Sequence, residues 1–228
     1  MGMNSSPGRQ SSVSNFPSEP TDVSTPARRM PREQRRAQLL DVASDVIGER
    51  GYHSASMDDI AEAAGVSKPV LYQHFSSKHA LYLALVDRAR ALLVDRIDEA
   101  LASPANRDRV WATIDTVFSF ITNSGSHYRF VFESDLAADP QVQEILSRAQ
   151  AEIGSSIGAV IAAETDLDHE EATLLGVGLA GIAQQSARHW RDATDRGDAE
   201  ISAQRARDLT ATLCWRGVAA FPRTGTDQ

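Results

Sequence analysis

The chain is 228 residues long, 42% hydrophobic and 24% charged, with a formal net charge of −8 and a single cysteine, Cys214. That composition suits a globular protein with one large or two small cores, and it excludes an intrachain disulfide. The longest apolar run, Leu174 to Ala183, has ten residues including three glycines, far short of the roughly 20 needed to span a bilayer; with no secretory pattern at the N-terminus, the cytoplasm is the expected location.

Residues 1–28 are rich in Ser, Pro, Gly, Asn and Thr without periodic hydrophobicity, the composition of a disordered tail. From Pro31 the pattern is helical nearly to Phe221, with no β-branched alternation, so the fold class is all-α. The first helix, about Pro31 to Arg50, carries an apolar stripe of Leu39, Leu40, Ala43, Val46 and Ile47 and ends at Gly51. A short second helix starts at Ser56, whose hydroxyl can cap it while Asp59 closes an acidic capping box. Gly65 ends that helix. Ser67 can cap a third from Lys68 to His74, in which Pro69 occupies a harmless first-turn position. A long fourth helix, Lys78 to Leu101, follows, and then a fifth from Ser103-Pro104 with Trp111, Phe118 and Ile121. Asp139-Pro140 opens another, and the last two run from about His169 to Ala193 and from Asp198 to Phe221. The implied organisation is a tail at 1–28, a three-helix domain at 29–77, a helical bundle at 78–221 and a disordered tail at 222–228.

Although the total is acidic, residues 27–78 hold eight Lys and Arg against seven Asp and Glu, and both lysines of the chain, Lys68 and Lys78, lie there. The acidity sits in the C-terminal two-thirds, which leaves room for a modest basic surface near the N-terminus.

Ser56 to Lys78 is the informative stretch. Two short helices can cross steeply only if a small residue sits at their contact and a glycine takes the left-handed turn, the requirements of a helix-turn-helix. Ala61, Gly65 and Leu71 fill the roles of contact residue, turn and core anchor in that order; an ordinary helical hairpin has the same spacing. The segment from about Arg32 to Leu85, above all GYHSASMDDIAEAAGVSKPVLYQHFSSKHALYLAL, resembles the DNA-binding domain of the tetracycline-repressor (TetR) family of bacterial regulators. It carries the family's Gly-aromatic pair, Ser cap, Ile-Ala, Ala-Gly-Val-Ser, and Leu-Tyr-x-His-Phe followed by Lys and Leu. Pro69 stands where glycine is common. The resemblance covers about a quarter of the chain; beyond it only length and helix count are similar.

The resemblance implies that Tyr72, His74 and Lys78 contact phosphates, which set register but carry no sequence information. Ser56 and Ser67 read mainly as caps whose hydroxyls can also touch phosphate. Lys68, Val70 and Gln73 face outward as base readers, lysine toward guanine, glutamine toward adenine and valine against a thymine methyl. Arg28, Arg29 and Arg32 are either an arm along the DNA or a solvated charge run. Leu71 and Phe75 belong in the core.

For the larger domain the expectation is a small-molecule pocket between helices, with Trp111, Phe118, Tyr128, Phe132, Gln185 and His189 as candidate lining residues, although core packing equally explains aromatics at helical spacing. The family resemblance implies a homodimer through the last two helices. Gly176, Gly178, Ala180 and Gly181 make a face of little bulk there, and Leu209, Leu213, Gly217 and Ala220 an apolar stripe. A twofold dimer presents its recognition helices about one DNA turn apart, roughly 34 Å or a multiple, and so expects a palindromic double-stranded operator. The working expectation is a repressor released by a small-molecule effector, the signal travelling along the helix from Lys78 to Leu101. An enzyme is not expected, nor a cofactor or metal site, since no phosphate-binding glycine loop, HExxH or CxxC occurs. Two alternatives stay open: a ligand-independent DNA-binding dimer and a protein-binding helical adaptor.

Overall fold

In the computed structural model, residues 31–123 and 125–218 are described, and among them nine helices and no strand occur. The all-α expectation holds. The tails at 1–28 and 222–228, with Arg28, Arg29 and Ala220, lie outside the described residues.

Helix α1 (Arg32–Arg50) buries Leu39, Leu40, Ala43 and Ile47, spaced three and four apart on one face. Gly51 ends it with φ +79°, a conformation in which a side chain would be strained. Helix α2 (Met57–Ala63) packs on α1 and α3 (Lys68–His74) packs on α2, with Ile60, Ala61 and Leu71 buried in the common core. Ser77 caps the long α4 (Lys78–Leu101), its hydroxyl accepting from the Ala80 amide at 3.0 Å. One face of α4 buries Leu81, Leu85, Ala89, Leu93 and Ile97, so this helix contributes to the packing of every layer from the first three helices to the bundle.

The bundle comprises α5 (Asn106–Asn123), α6 (Ser126–Phe132), α7 (Pro140–Glu164), α8 (His169–Asp195) and α9 (Ala203–Val218). Helix α6 is an element that the hydrophobic pattern does not separate from its surroundings. It has seven residues, follows Gly125 without a side-chain cap, and four of its residues, Tyr128, Phe130, Val131 and Phe132, are apolar or aromatic, too short a run for a 3.6-residue period to emerge. Asp139 caps α7 by accepting from the Gln141 and Val142 amides, and Asp168 caps α8 in a reciprocal box with Glu171. Helix α9 begins at Ala203, later than the sequence pattern implies, because the chain from Arg196 to Ser202 is held off the helix by the Gly197 turn and by the Trp190 indole N–H donating to the Ile201 carbonyl at 3.0 Å.

Helices α7 and α8 form the closest packed pair. Gly154, Gly158 and Gly176 bring the two backbones into contact; a Cβ at Gly158 would lie 2.8 Å from Thr173 Cα, and one at Gly176 would overlap the Gly154 carbonyl oxygen. Two residues of the small-residue face therefore turn inward: Gly176 meets α7, and Ala180 lines a cavity. Gly178 and Gly181 meet nothing within 4 Å and share the outer side of α8 with Leu174, Val177 and Ile182.

Candidate nucleic-acid interface and ligand cavity

The α2–α3 unit is built as its sequence demands. Ser56 Oγ accepts from the Asp59 amide at 3.1 Å, and the Asp59 carboxylate accepts from the Ser56 amide at 2.8 Å, a complete capping box. Those bonds from Ser56, with Arg50 3.1 Å away, hold the Asp59 carboxyl below the usual carboxylate range. Gly65 turns the chain at φ +62°. Ala61, Leu71 and Phe75 are buried, at 5%, 0% and 3% exposure, and the Arg36 guanidinium covers the Phe75 ring at 4.8 Å. Helix α3 is thus anchored by Leu71 while Ser67, Lys68, Tyr72 and Gln73 are exposed and Val70 and His74 half-buried. Tyr72 is 42% exposed, unusual for so large an aromatic side chain.

Four of the expected contact residues have surroundings that the sequence alone does not disclose. Ser67 occupies the N-cap of α3 but makes no cap hydrogen bond, which leaves its hydroxyl for another acceptor or donor. Lys68 is ion-paired across the turn with Asp58, at 2.8 Å, and that bond raises its pKa. Lys78 sets its ammonium 4.4 Å over the Tyr52 ring and donates to the His53 carbonyl at 3.4 Å. The His74 Nδ1 atom is buried without a hydrogen-bond partner among the described residues. Asp58 and Tyr52 are the neighbours that sequence reasoning missed, because a partner ten or twenty-six positions away has no local signature.

A polar seam ties the α1–α3 unit to the bundle. Arg129 on α6 donates to the Gly48 carbonyl, the hydroxyls of Ser44 and Ser126 are 2.7 Å apart, and the Tyr52 amide donates to Asp135 at 2.6 Å. From α4, Tyr82 reaches Ser134 at 2.9 Å and His79 reaches Asp139, also at 2.9 Å. Burial pushes the Tyr82 phenol up. Helix α6 therefore touches both α1 and α4.

The same helix borders a cavity of about 330 Å³ in the bundle, at the lower end of the range for small-molecule sites. Ile97, Val110, Ile114, Ile153, Ile157 and Leu179 supply much of its apolar wall. Along α7 and its C-cap the lining residues run from Leu146 to Thr165, roughly 28 Å at the helical rise per residue, so the cavity wall is elongated. Of the lining residues suggested by sequence, Phe132 borders it. Phe118 and Tyr128 are sealed in the core instead, at 1% and 0% exposure, packed against Trp190 and Phe132 respectively. Trp111 lies under Arg107 at 4.8 Å, and Gln185 and His189 stand on the exposed side of α8. Their neighbours Gln184 and Arg188 line the cavity; the helical phase of α8, which sequence left open by one residue, decides this. Cys214 also lines it, and burial pushes its thiol up to about 11.

An anchored helix displaying polar and basic side chains, packed in one unit with a bundle that holds a cavity, defines a helical protein of the helix-turn-helix class. Comparison with known proteins names the class. Residues 39–85 match the model of "Bacterial regulatory proteins, tetR family". The chain is 40% identical over 197 residues to the HTH-type transcriptional activator FasR of Mycolicibacterium smegmatis, covering 86% of this chain and 88% of that one. Among solved structures, a TetR-like regulator from Rhodococcus sp. RHA1 superposes with a TM-score of 0.60 at 26% identity, over 84% of this chain and 99% of its own. FadR from Bacillus subtilis, solved in complex with stearoyl-CoA, does so with a TM-score of 0.61 at 17% identity, over 78% and 96%, and shows the shared fold. The chain belongs to the tetR family of bacterial regulatory proteins and is a DNA-binding transcriptional regulator, not an enzyme. Among the described residues no helix is long and apolar enough to cross a membrane.

Proposed function

We propose that the protein binds a palindromic operator as a homodimer in the cytoplasm and that an elongated apolar small molecule in the bundle cavity sets operator occupancy. The carrying observation is the display of Ser67, Lys68, Tyr72 and Gln73 around a fully buried Leu71. In this reading residues 29–77 are the DNA reader and 78–221 the effector and dimerisation domain. Ser56, Ser67, Tyr72, His74 and Lys78 hold phosphates while Lys68, Val70 and Gln73 read base edges.

The dimer reading is supported by an outer face of α8 and α9 that carries Leu174, Val177, Ile182, Leu209 and Leu213, between 38% and 73% exposed. Exposure of several large apolar side chains on two neighbouring helices is what an association surface requires. The ligand reading is supported by the roughly 28 Å apolar slot along α7, which fits a long acyl chain, and by the stearoyl-CoA held in FadR on the same fold. Ligand seated against Val131 and Phe132 would load α6, and α6 and α4 together would pass the change to α1; the expected sense is release of the operator. The named activator function of the M. smegmatis relative favours a second reading of the transcriptional outcome, in which occupancy assists the promoter. Operator position relative to the promoter separates the two.

Retardation of the DNA upstream of the protein's own coding sequence, with and without lauroyl-CoA, tests the proposal. Specific retardation that lauroyl-CoA diminishes is expected. Absence of retardation overturns the DNA-reading assignment of α3, and retardation unchanged by saturating acyl ligand overturns the effector assignment.

A further inference from the structure

Charges around the cavity are unevenly compensated. At the end made by the α4–α5 corner and the C-terminus of α7, Arg109 is fully engaged: its Nε donates to the Ser103 carbonyl at 2.7 Å, and its Nη1 to Asn106 at 2.5 Å and to the Glu164 carboxylate at 3.3 Å. Toward the C-terminal half of α8 the pattern differs. Ala180, Gln184 and Arg188 recur every fourth residue, which places them on one helix face, and all three line the cavity. Arg188 is half-buried, yet it makes no hydrogen bond and no ion pair among the described residues. Its neighbour Arg191 is occupied, stacking 4.5 Å over the Tyr128 ring and bonding to Asp195 at 3.2 Å and to the Ile121 carbonyl. Gln184 and the exposed Gln150 supply neutral amides nearby on the cavity wall.

A half-buried guanidinium without an acceptor keeps a desolvation cost that an anion could offset. The planar fork of arginine matches a carboxylate or a phosphate. We propose that Arg188 is the anion anchor of the cavity, so that the ligand is an amphiphile whose apolar chain fills the slot along α7 and whose carboxylate or phosphate meets Arg188. This inference rests on the reading of the cavity as a ligand site, and it adds charge and polarity to that reading. The anchor also stands beside the helix that touches α1. Arg188 acts electrostatically on the Tyr128 hydroxyl of α6, where it opposes the rise caused by burial and by the Glu133 hydrogen bond at 2.6 Å. An anion at Arg188 would therefore change the charge balance next to the α6 seam, which a purely apolar ligand would leave alone.

Calorimetric titration of the intact protein with three probes of equal chain length, laurate, lauroyl-CoA and 1-dodecanol, separates the possibilities. Wild type should bind at least one of the two anions about tenfold or more tighter than dodecanol, as a charge-assisted hydrogen bond implies. Arg188→Gln should bring that anion down to the dodecanol level and leave dodecanol unchanged. Arg188→Lys should retain part of the preference, which shows that charge and not folding is responsible. If only lauroyl-CoA responds to Arg188→Gln the anchored group is a phosphate, and if laurate responds it is a carboxylate; either result upholds the anchor. Dodecanol binding as tightly as both anions, or anion binding unaffected by Arg188→Gln, overturns the anchor while leaving the cavity reading intact. Failure of all three probes to bind overturns the cavity reading and the anchor with it.

Discussion

Lys78, proposed as a phosphate contact, is oriented by its own subunit. Its ammonium is held between the Tyr52 ring and the His53 carbonyl, at the first turn of α4, where the helix dipole also favours an anion. Replacing it with alanine should weaken binding to operator and random DNA alike and reduce the salt dependence by about one counterion. Gln73→Ala should instead relax preference at one base pair per half-site, by about 1–3 kcal/mol if the amide reads adenine bidentately. Titrations at several salt concentrations on matched and mutated operators check both; equal behaviour of the two variants would abolish the division between phosphate and base contacts. Lys68 is less free, since Asp58 holds its ammonium and would compete with DNA for it. Asp58→Asn should raise affinity for random DNA more than for operator, and a competition assay with random duplex measures the ratio. Cys214, 3% exposed with a thiol near 11, should react slowly with a thiol reagent at neutral pH, and the rate should climb about tenfold per pH unit below that value as thiolate forms. A fast, pH-independent reaction would mean that the cavity wall opens readily at α9.

At the scale of elements, legibility followed the density of local signals. The α2–α3 unit was readable because a cap, a turn glycine, a small contact residue and a buried anchor fall within about twenty positions, each with its own physical requirement. Helix α4 was readable from the long Leu81–Ile97 stripe, whereas the Ser77 cap that starts it came from the structure. Helix α6 was not, because two turns of mostly apolar residues after an uncapped glycine give no period to detect. The cavity was readable only as an expectation: Phe118 and Tyr128 are aromatics at helical spacing that filled the core, and the lining residues are mainly aliphatic, indistinguishable in sequence from any packed face. Small residues on α8 divide likewise. Gly176→Ala should lower stability by about 1–3 kcal/mol, since the added methyl collides with the backbone of α7, whereas Gly178→Ala, with open space at its Cβ, should leave the fold of the subunit unchanged. Thermal melts of the two variants decide; equal melts would mean α7 and α8 can separate without cost.

For the whole molecule, the proposed dimer through the exposed apolar side of α8 and α9 would tie assembly to DNA recognition. A twofold pair would offer two copies of α3 to one face of the duplex, and the second contact would be effectively intramolecular. Leu213→Asp places a charge on a residue that is 61% exposed in the single subunit. It should therefore fold normally, sediment as a monomer, and lose most of its operator affinity while retaining weak binding to a half-site. A variant that sedimented as a dimer would exclude this face from the interface.

Gly48 lets α1 approach α6 closely, with the position of its missing Cβ only 2.6 Å from Ser126 Cβ. A single methyl there would act as a shim wedged into a hinge. Gly48→Ala should still grip the operator, but with the reader propped at one tilt it should be deaf to effector, giving the same operator Kd in the presence and absence of lauroyl-CoA.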